Sequence, residues 1–323
     1  MNSSTSNSDP DPPRAHRFLR LFAWISGGLL LAVAAVNLWV DPYYRFGTNQ
    51  IGVYISSERE FKATAVQKAP HDALVIGNSK PSIIDPDKID EYQFLNVGFA
   101  GAKPEEIYWF LEKFARNQKL VVLGLDYGMF NEGAAPIREK DPFERPLFRD
   151  ICNYLLNLKS FQYAMEGLFR KVAGQQPTIL ATGQSNPKPY LDFDAGLTEE
   201  HYEPALDLLR RDTFNNFNYS VKRLGYLKKI KALLQERGIK LVVFINPEND
   251  VVLDLIRSMP AGGQFDRWKA DLREIFPELV DLTAEPRLSE HAHYFRHDPY
   301  HYLPSTGTTI IKEYILPRAA SQE

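Results

Sequence analysis

A chain of 323 residues, 44% of them apolar, can bury one large domain of about 250 residues plus a tail, or two smaller domains, and the first arrangement is favoured. With 38 basic against 41 acidic residues the formal net charge is only −3, which excludes the polybasic field that holds nucleic acid. The single cysteine, Cys152, allows no internal disulfide, so cysteine usage does not report the redox compartment.

The amino terminus is polar. Residues 1–13 are Ser, Asn, Asp, Thr and Pro after Met1, too poor in large apolar groups to fold, and residues 1–20 are expected to form a disordered cytoplasmic tail carrying Arg14, Arg17 and Arg20. Leu21–Val40 then contains no charge, and a helix of that length spans the roughly 30 Å hydrocarbon core of a bilayer. The arginines before this span and Asp41 after it predict a single-pass membrane protein, in a bacterium one of the inner membrane. Its amino terminus is inside, its remainder is periplasmic or extracellular, and Trp39, Tyr43 and Tyr44 lie in the interfacial belt. The alternative is a cleaved signal peptide. Against it, the apolar run exceeds the usual 7 to 15 residues or so and no small-x-small cleavage site precedes Asp41.

Residues 41–70 form a mixed connector containing Arg45, Glu58, Arg59, Glu60 and Lys62. Ala73–Ile76 follows, apolar on both faces as a strand buried in a parallel sheet must be. It breaks at Gly77-Asn78 and so presents Ser79 at the carboxyl end of the sheet, where open α/β sheets place their ligand crevices. Phe94–Gly98 reads as a short strand and Phe99–Gly101 as a turn. Pro104–Phe114 reads as a helix with proline at its first position, glutamates at its amino end, and Ile107, Phe110, Leu111 and Phe114 on one face. Leu120–Asp126 is again a two-sided apolar strand.

Residues 132–215 are less regular, with helix-spaced apolar residues over 151–172 and loop composition over 174–203. Val221–Arg237 reads as a basic amphipathic helix with Leu224, Leu227, Leu233 and Leu234 inward and Gly238 closing it; its lysines suit a solvated face better than a membrane surface. A core strand over 239–245, a helix over 268–276, a short strand over 279–282 and a closing helix over 307–316 complete the pattern. Alternating strands and helices predict a three-layer α/β/α domain with a mostly parallel sheet over residues 71–318, preceded by one transmembrane helix.

The chemistry rests on three residues. A serine hydroxyl is a weak nucleophile until a histidine takes its proton, and the histidine needs an acceptor to fix its tautomer. Ser79 lies after the first strand, and Asp298 and His301 stand three apart on an expected turn before the last helix, so both can face the crevice that Ser79 enters. Each has a plainer use: Ser79 as a helix cap, Asp298 as a surface turn residue. His291, His293, His297 and His301 fall within eleven residues, yet no cysteine pair or carboxylate-rich helix accompanies them, so neither a metal nor another cofactor is expected. The turn after the first strand also lacks the Gly-x-Gly-x-x-Gly of a dinucleotide site.

On these residues the chain resembles an SGNH (GDSL-like) hydrolase over about residues 72–316, and within that group the single-pass cell-envelope proteins linked to polysaccharide O-acylation. Gly77-Asn78-Ser79 matches the first block, with Asn78 where aspartate is usual; Asn96-Val97-Gly98 followed by Gly101 resembles the second; Asp298-x-x-His301 matches the last. The resemblance implies Ser79 as nucleophile, His301 as base, Asp298 as its orienting acid, and the N–H groups of Ser79 and Gly98 as oxyanion donors. The third block departs, reading Gly124-Leu125-Asp126-Tyr127 in place of Gly-x-Asn-Asp. An anionic Asp126 repels an oxyanion, and one lost donor costs about 3 kcal/mol unless another, with Asn131 and Asn246 as candidates, replaces it. Lys80 and Asp126 are candidate substrate contacts, Lys80 for an anionic substrate group, with a solvated Lys80 as the equal alternative.

The implied activity is that of a serine esterase or O-acyltransferase acting on acyl, foremost acetyl, esters of envelope polysaccharide. The implied partners are the membrane through residues 21–40, a glycan or acyl-ester substrate and an envelope acyltransferase complex, with no nucleic acid. The altered third block keeps open an alternative, a catalytically inactive binding or assembly module of such a complex.

Overall fold

The structure is a computed structural model that describes residues 12–54, 58–133, 143 and 151–321. Five strands form its central sheet: β1 (Ala73–Gly77), β2 (Phe94–Asn96), β3 (Leu120–Leu125), β4 (Lys240–Ile245) and β5 (Val280–Asp281). They run in the order β2-β1-β3-β4-β5 with every pair parallel. The order reverses between β1 and β3, and a crevice opens at the carboxyl ends of strands at such a reversal.

The strands alternate between two cores because successive side chains leave opposite faces. Leu74, Ile76, Leu95, Val121, Leu123, Leu125, Val243 and Ile245 enter one core; Ala73, Val75, Phe94, Leu120, Val122, Val242 and Phe244 enter the other. Burial on both sides is why these segments read as continuous apolar runs.

In chain order the helices are α1 (Pro12–Val40), α2 (Glu58–Lys68), α3 (Pro104–Phe114), α4 (Ile151–Leu156), α5 (Leu158–Val172), α6 (Lys188–Asp194), α7 (Glu203–Leu208), α8 (Val221–Glu236), α9 (Asp250–Ser258), α10 (Gly262–Ile275), α11 (Pro286–Ser289), α12 (Pro304–Thr309) and α13 (Leu316–Ser321). Helices α2, α3, α8, α9 and α10 cover the first face of the sheet, while α11, α13 and the turn of π-helix between α12 and α13 cover the second. The fold is the expected α/β/α sandwich with a helix in front.

Several elements differ from the sequence reading. Helix α1 starts at Pro12, so residues 12–20 are helical, whereas residues 1–11 of the expected tail lie outside the described residues. Ala15–Val40, within which an 18-residue window reaches a mean hydropathy of 2.0, is the one stretch among the described residues long and apolar enough to cross a membrane. The expected connector is part of the domain: Val53, Tyr54, Phe61 and Lys62 are buried, and α2 packs on α3. Strand β2 stops at Asn96, and the helical stretch from 151 breaks at Asn157, whose side chain caps α5 by accepting from the N–H groups of Lys159 (2.8 Å) and Ser160 (3.3 Å). Residues 134–142 and 144–150 of the expected insertion lie outside the described residues.

The end of α1 is built into the domain. Asn37 donates from Nδ2 to the Leu155 carbonyl (2.7 Å). Asp41, fully buried at φ +45°, accepts from the N–H groups of Arg45 (2.6 Å), Phe46 (2.7 Å) and Thr48 (3.2 Å) and from the Tyr154 hydroxyl (2.8 Å). Aspartate tolerates that left-handed conformation because its short side chain bonds nearby backbone.

Candidate active site

Ser79 sits where β1 ends and the chain turns sharply into a 3-10 turn at Pro81–Ile83. Gly77 permits the turn, since a Cβ there would stand 2.5 Å from the Gly124 carbonyl oxygen and 2.7 Å from the Pro81 ring. Asn78 fixes it. Its Oδ1 accepts from the Lys80 N–H (3.1 Å), and its Nδ2 donates to the Asp126 carboxylate at the end of β3. The Ser79 carbonyl accepts from the Ser82 hydroxyl (2.6 Å), so the turn is closed from both sides while the Ser79 side chain stays half-buried at the crevice.

Asp298 and His301 arrive on a two-stranded antiparallel ribbon, β6 (Tyr294–Phe295) and β7 (Asp298–Tyr302), rather than on a turn. The His301 imidazole bridges the other two side chains. Its Nε2 lies 2.8 Å from Ser79 Oγ and its Nδ1 lies 2.5 Å from Asp298 Oδ2, although Ser79 and His301 are 222 positions apart. With Nδ1–H donating to the carboxylate, Nε2 presents a lone pair to the Ser79 hydroxyl. Asp298 is itself held by the N–H groups of Tyr300 (2.8 Å) and His301 (3.4 Å). Burial by itself would raise its pKa. The charge and hydrogen bond of His301, with the two N–H bonds, outweigh that and hold the carboxyl below the usual range, so it stays ionised beside the imidazole.

No protein-family model and no curated protein matches this chain. What the site can do therefore rests on its own geometry.

Lys80 does not reach the crevice. It is fully buried beneath the turn, with Nζ 2.6 Å from Glu248 Oε1 and 3.9 Å from the centre of the Tyr300 ring, so neither an anionic substrate group nor solvent meets it. Burial pushes the Glu248 carboxyl up to about 7 against the pull of Lys80, and Glu248 Oε2 takes no hydrogen bond among the described residues. Asp126 is likewise buried. Its carboxylate accepts from Asn78 and from the Met129 N–H (3.2 Å) and lies against the Tyr300 hydroxyl, so it acts as a brace beneath the serine turn and not as a substrate contact.

The expected oxyanion donors fare unequally. The Ser79 N–H makes no hydrogen bond among the described residues and stands beside the hydroxyl it would serve. The Gly98 N–H is taken by Asn96 Oδ1 (3.0 Å), and the Gly98 carbonyl by the ammonium of buried Lys62, so that peptide is clamped on both sides. Glycine is needed at 98 for contact, because a Cβ would meet the Ser82 nitrogen at 3.1 Å and the Asn78 oxygen at 3.2 Å. Asn246 is buried, donating to the Leu125 carbonyl (2.9 Å) and accepting from the Tyr302 hydroxyl (3.1 Å). Asn131 clips a loop through the Thr213 carbonyl and the N–H groups of Gly133 and Asn218. Neither amide is offered to the crevice.

A cavity of about 430 Å³ opens over the triad, lined by Ser79, Asp298 and His301 and by Arg59, Glu166, Arg170, Tyr190 and His297, which the sequence reading did not place there. Arg59 makes a two-pronged ion pair with Glu106 (2.9 and 3.0 Å). His297 forms a second imidazole–carboxylate pair, its Nδ1 on Asp194 Oδ1, while Asp194 also accepts the N–H groups of Arg296 (2.9 Å) and His297 (3.1 Å). The one sequence signal for this pair was the position of His297 just ahead of Asp298; Asp194 lay in a stretch read as loop. The four clustered histidines go separate ways: His291 to Asn249, His293 to Thr306, His297 to Asp194 and His301 to the triad.

Proposed function

We propose that this protein is a serine-dependent esterase or O-acyltransferase. The observation that carries the reading is the bridging position of His301 between Ser79 Oγ and Asp298 Oδ2. Ser79 Oγ attacks an acyl carbonyl as its proton passes to His301 Nε2; the tetrahedral intermediate collapses, and His301 returns the proton to the departing alcohol. A water or a second hydroxyl then takes the acyl group from Ser79 by the same route reversed. Asp298 keeps the imidazole in the required tautomer and balances its transient charge.

The resemblance to SGNH envelope proteins gives the substrate class, an acyl ester of a cell-surface glycan. The apolar helix α1, with Arg14, Arg17 and Arg20 at its start, supports a single-pass anchor with the domain outside the cytoplasm. A protease-protection experiment on sealed spheroplasts tests the topology: digestion of the domain from outside is expected, and full protection would reverse it.

One observation favours the second reading, an inactive binding or assembly module. Of the two expected oxyanion donors and the two candidate replacements, only the Ser79 N–H is unengaged among the described residues, and a site short of one donor loses about 10² to 10³ in rate. The full-length chain in detergent, assayed on an activated acetyl ester and with a serine-directed phosphonate beside Ser79→Ala, separates the two. Turnover and labelling that vanish in the variant support the enzyme. An unlabelled, inactive but folded wild type leaves the module.

A further inference from the structure

We propose that the exposed apolar face of α4 and α5 lies in the membrane–water boundary beside α1, so that the domain rests on the bilayer as well as being tethered to it. The inference depends on the reading of α1 as a membrane span. On α5 the side chains of Leu158, Met165, Phe169 and Val172 are 68%, 45%, 74% and 87% exposed, and their spacing of seven, four and three puts them in one stripe. Ile151 and Leu156 of α4 are about half exposed beside it. Apolar side chains this numerous on two short adjacent helices need a cover, because soluble surfaces seldom gather them.

Continuity with α1 identifies the cover as lipid. Trp24, Leu29 and Leu31 of α1 stand 80%, 63% and 73% exposed, which water does not tolerate on a helix of that length. Helices α4 and α5 pack against this same helix, joined to it by the bonds from Asn37 to Leu155 and from Tyr154 to Asp41. Trp39, still 60% exposed near that junction, marks the boundary level at which amphipathic rings settle. Lys159 and Lys171 at the two ends of α5 suit anionic headgroups, the arrangement of helices that lie in the interface. Glu166 and Arg170 of α5 also line the Ser79 cavity, so the cavity mouth then stands within about one helix diameter, some 10 Å, of the headgroups.

The test places an environment-sensitive fluorophore on Phe169→Cys in a Cys152→Ser background of the full-length chain, reconstituted in nanodiscs of phosphatidylethanolamine and phosphatidylglycerol. Leu29→Cys reports on α1, and Gln235→Cys at an exposed position of α8, a helix that packs on α3 and α10, reports on water. Lipids spin-labelled near the headgroup should quench the Phe169 label severalfold more than the Gln235 label, while lipids labelled deep in the acyl chain quench the Leu29 label. Quenching at Leu29 with none at Phe169 overturns the inference and leaves the span intact; a crosslink between two Phe169→Cys copies in that case assigns the face to a second chain. Absence of quenching at Leu29 removes the span itself, and the inference with it.

Discussion

Lys80 Nζ lies 2.6 Å from Glu248 Oε1 with neither side chain reaching solvent, directly under the turn that carries Ser79. A lysine adjacent to Ser79 thus serves as support, pinned by a carboxylate that follows β4 and by the face of Tyr300. A pair of this kind gains little net stability over apolar residues of the same volume, but losing one partner strands the other charge in the core. Lys80→Met and Glu248→Leu should each destabilise by about 3–5 kcal/mol in denaturant titrations, while the double variant recovers most of that loss. Additive losses would show that the two groups act independently.

Asp298 should make stability depend on acidity in a defined direction. Its folded pKa is held below the ordinary value of 3.8, so its contribution is present above that value and is lost as pH falls through the depressed one. The stability gap between wild type and Asp298→Asn should therefore be full near neutrality and shrink in urea titrations below about pH 4. A gap that stays constant with pH would refute the assignment of the ionised form. If the site is an esterase, the same variant should also lose on the order of 10⁴ in kcat, because the wrong imidazole tautomer faces Ser79.

Removing α1 by starting the chain at residue 42 should damage the domain. Asp41 takes three N–H groups and the Tyr154 hydroxyl, all on residues that the truncated chain keeps. Losing a carboxylate that satisfies four donors should cost about 2–4 kcal/mol, or roughly 5–15 °C in Tm. Differential scanning fluorimetry of the full-length protein beside Asp41→Ala checks this without altering the helix; an unchanged Tm would count against it.

If the site is an esterase, His297 should affect substrate binding more than chemistry. It lines the cavity, oriented by Asp194, but its hydrogen bonds are not to the triad. His297→Ala should raise KM about fivefold, the value of one hydrogen bond, and leave kcat within a small factor, whereas His301→Ala should abolish kcat. Steady-state kinetics on an ester with a bulky alcohol group reads the split, and a kcat collapse in His297→Ala would place that imidazole in the chemistry.

Asn96 holds together the loops that follow β1 and β2. Fully buried, it donates to the carbonyls of Pro81 and Ile84 (both 2.8 Å) and accepts from the Gly98 N–H. Asn96→Ala should destabilise by about 2–4 kcal/mol, since three backbone groups are left buried without partners. Chemical denaturation at constant m-value measures it; a change under 1 kcal/mol, about the worth of one hydrogen bond, would mean that water replaces the amide.

The sequence by itself determined whatever depends on neighbours in the chain. Ala73–Ile76 and Leu120–Leu125 had to be two-sided buried strands because they carry no polar face, Pro104 and the glutamates after it had to open α3, and Leu21–Val40 is long and apolar enough to cross a membrane. Ser79, Asp298 and His301 could also be singled out by residue type and order, although the β6–β7 ribbon that carries the last two lies outside the central sheet. Only the tertiary structure decided the fate of the polar residues around them. Lys80 read as a substrate contact or a solvated side chain and is buried, Gly98 looked like a free donor and is clamped by Asn96 and Lys62, and Asp126 looked like a repulsive charge and is a brace for Asn78. A polar group's role is set by which partner satisfies it. Glu248 beneath Lys80 and Asp194 beside His297 lie on segments far away in sequence, brought there by the folding of the sheet and its insertion.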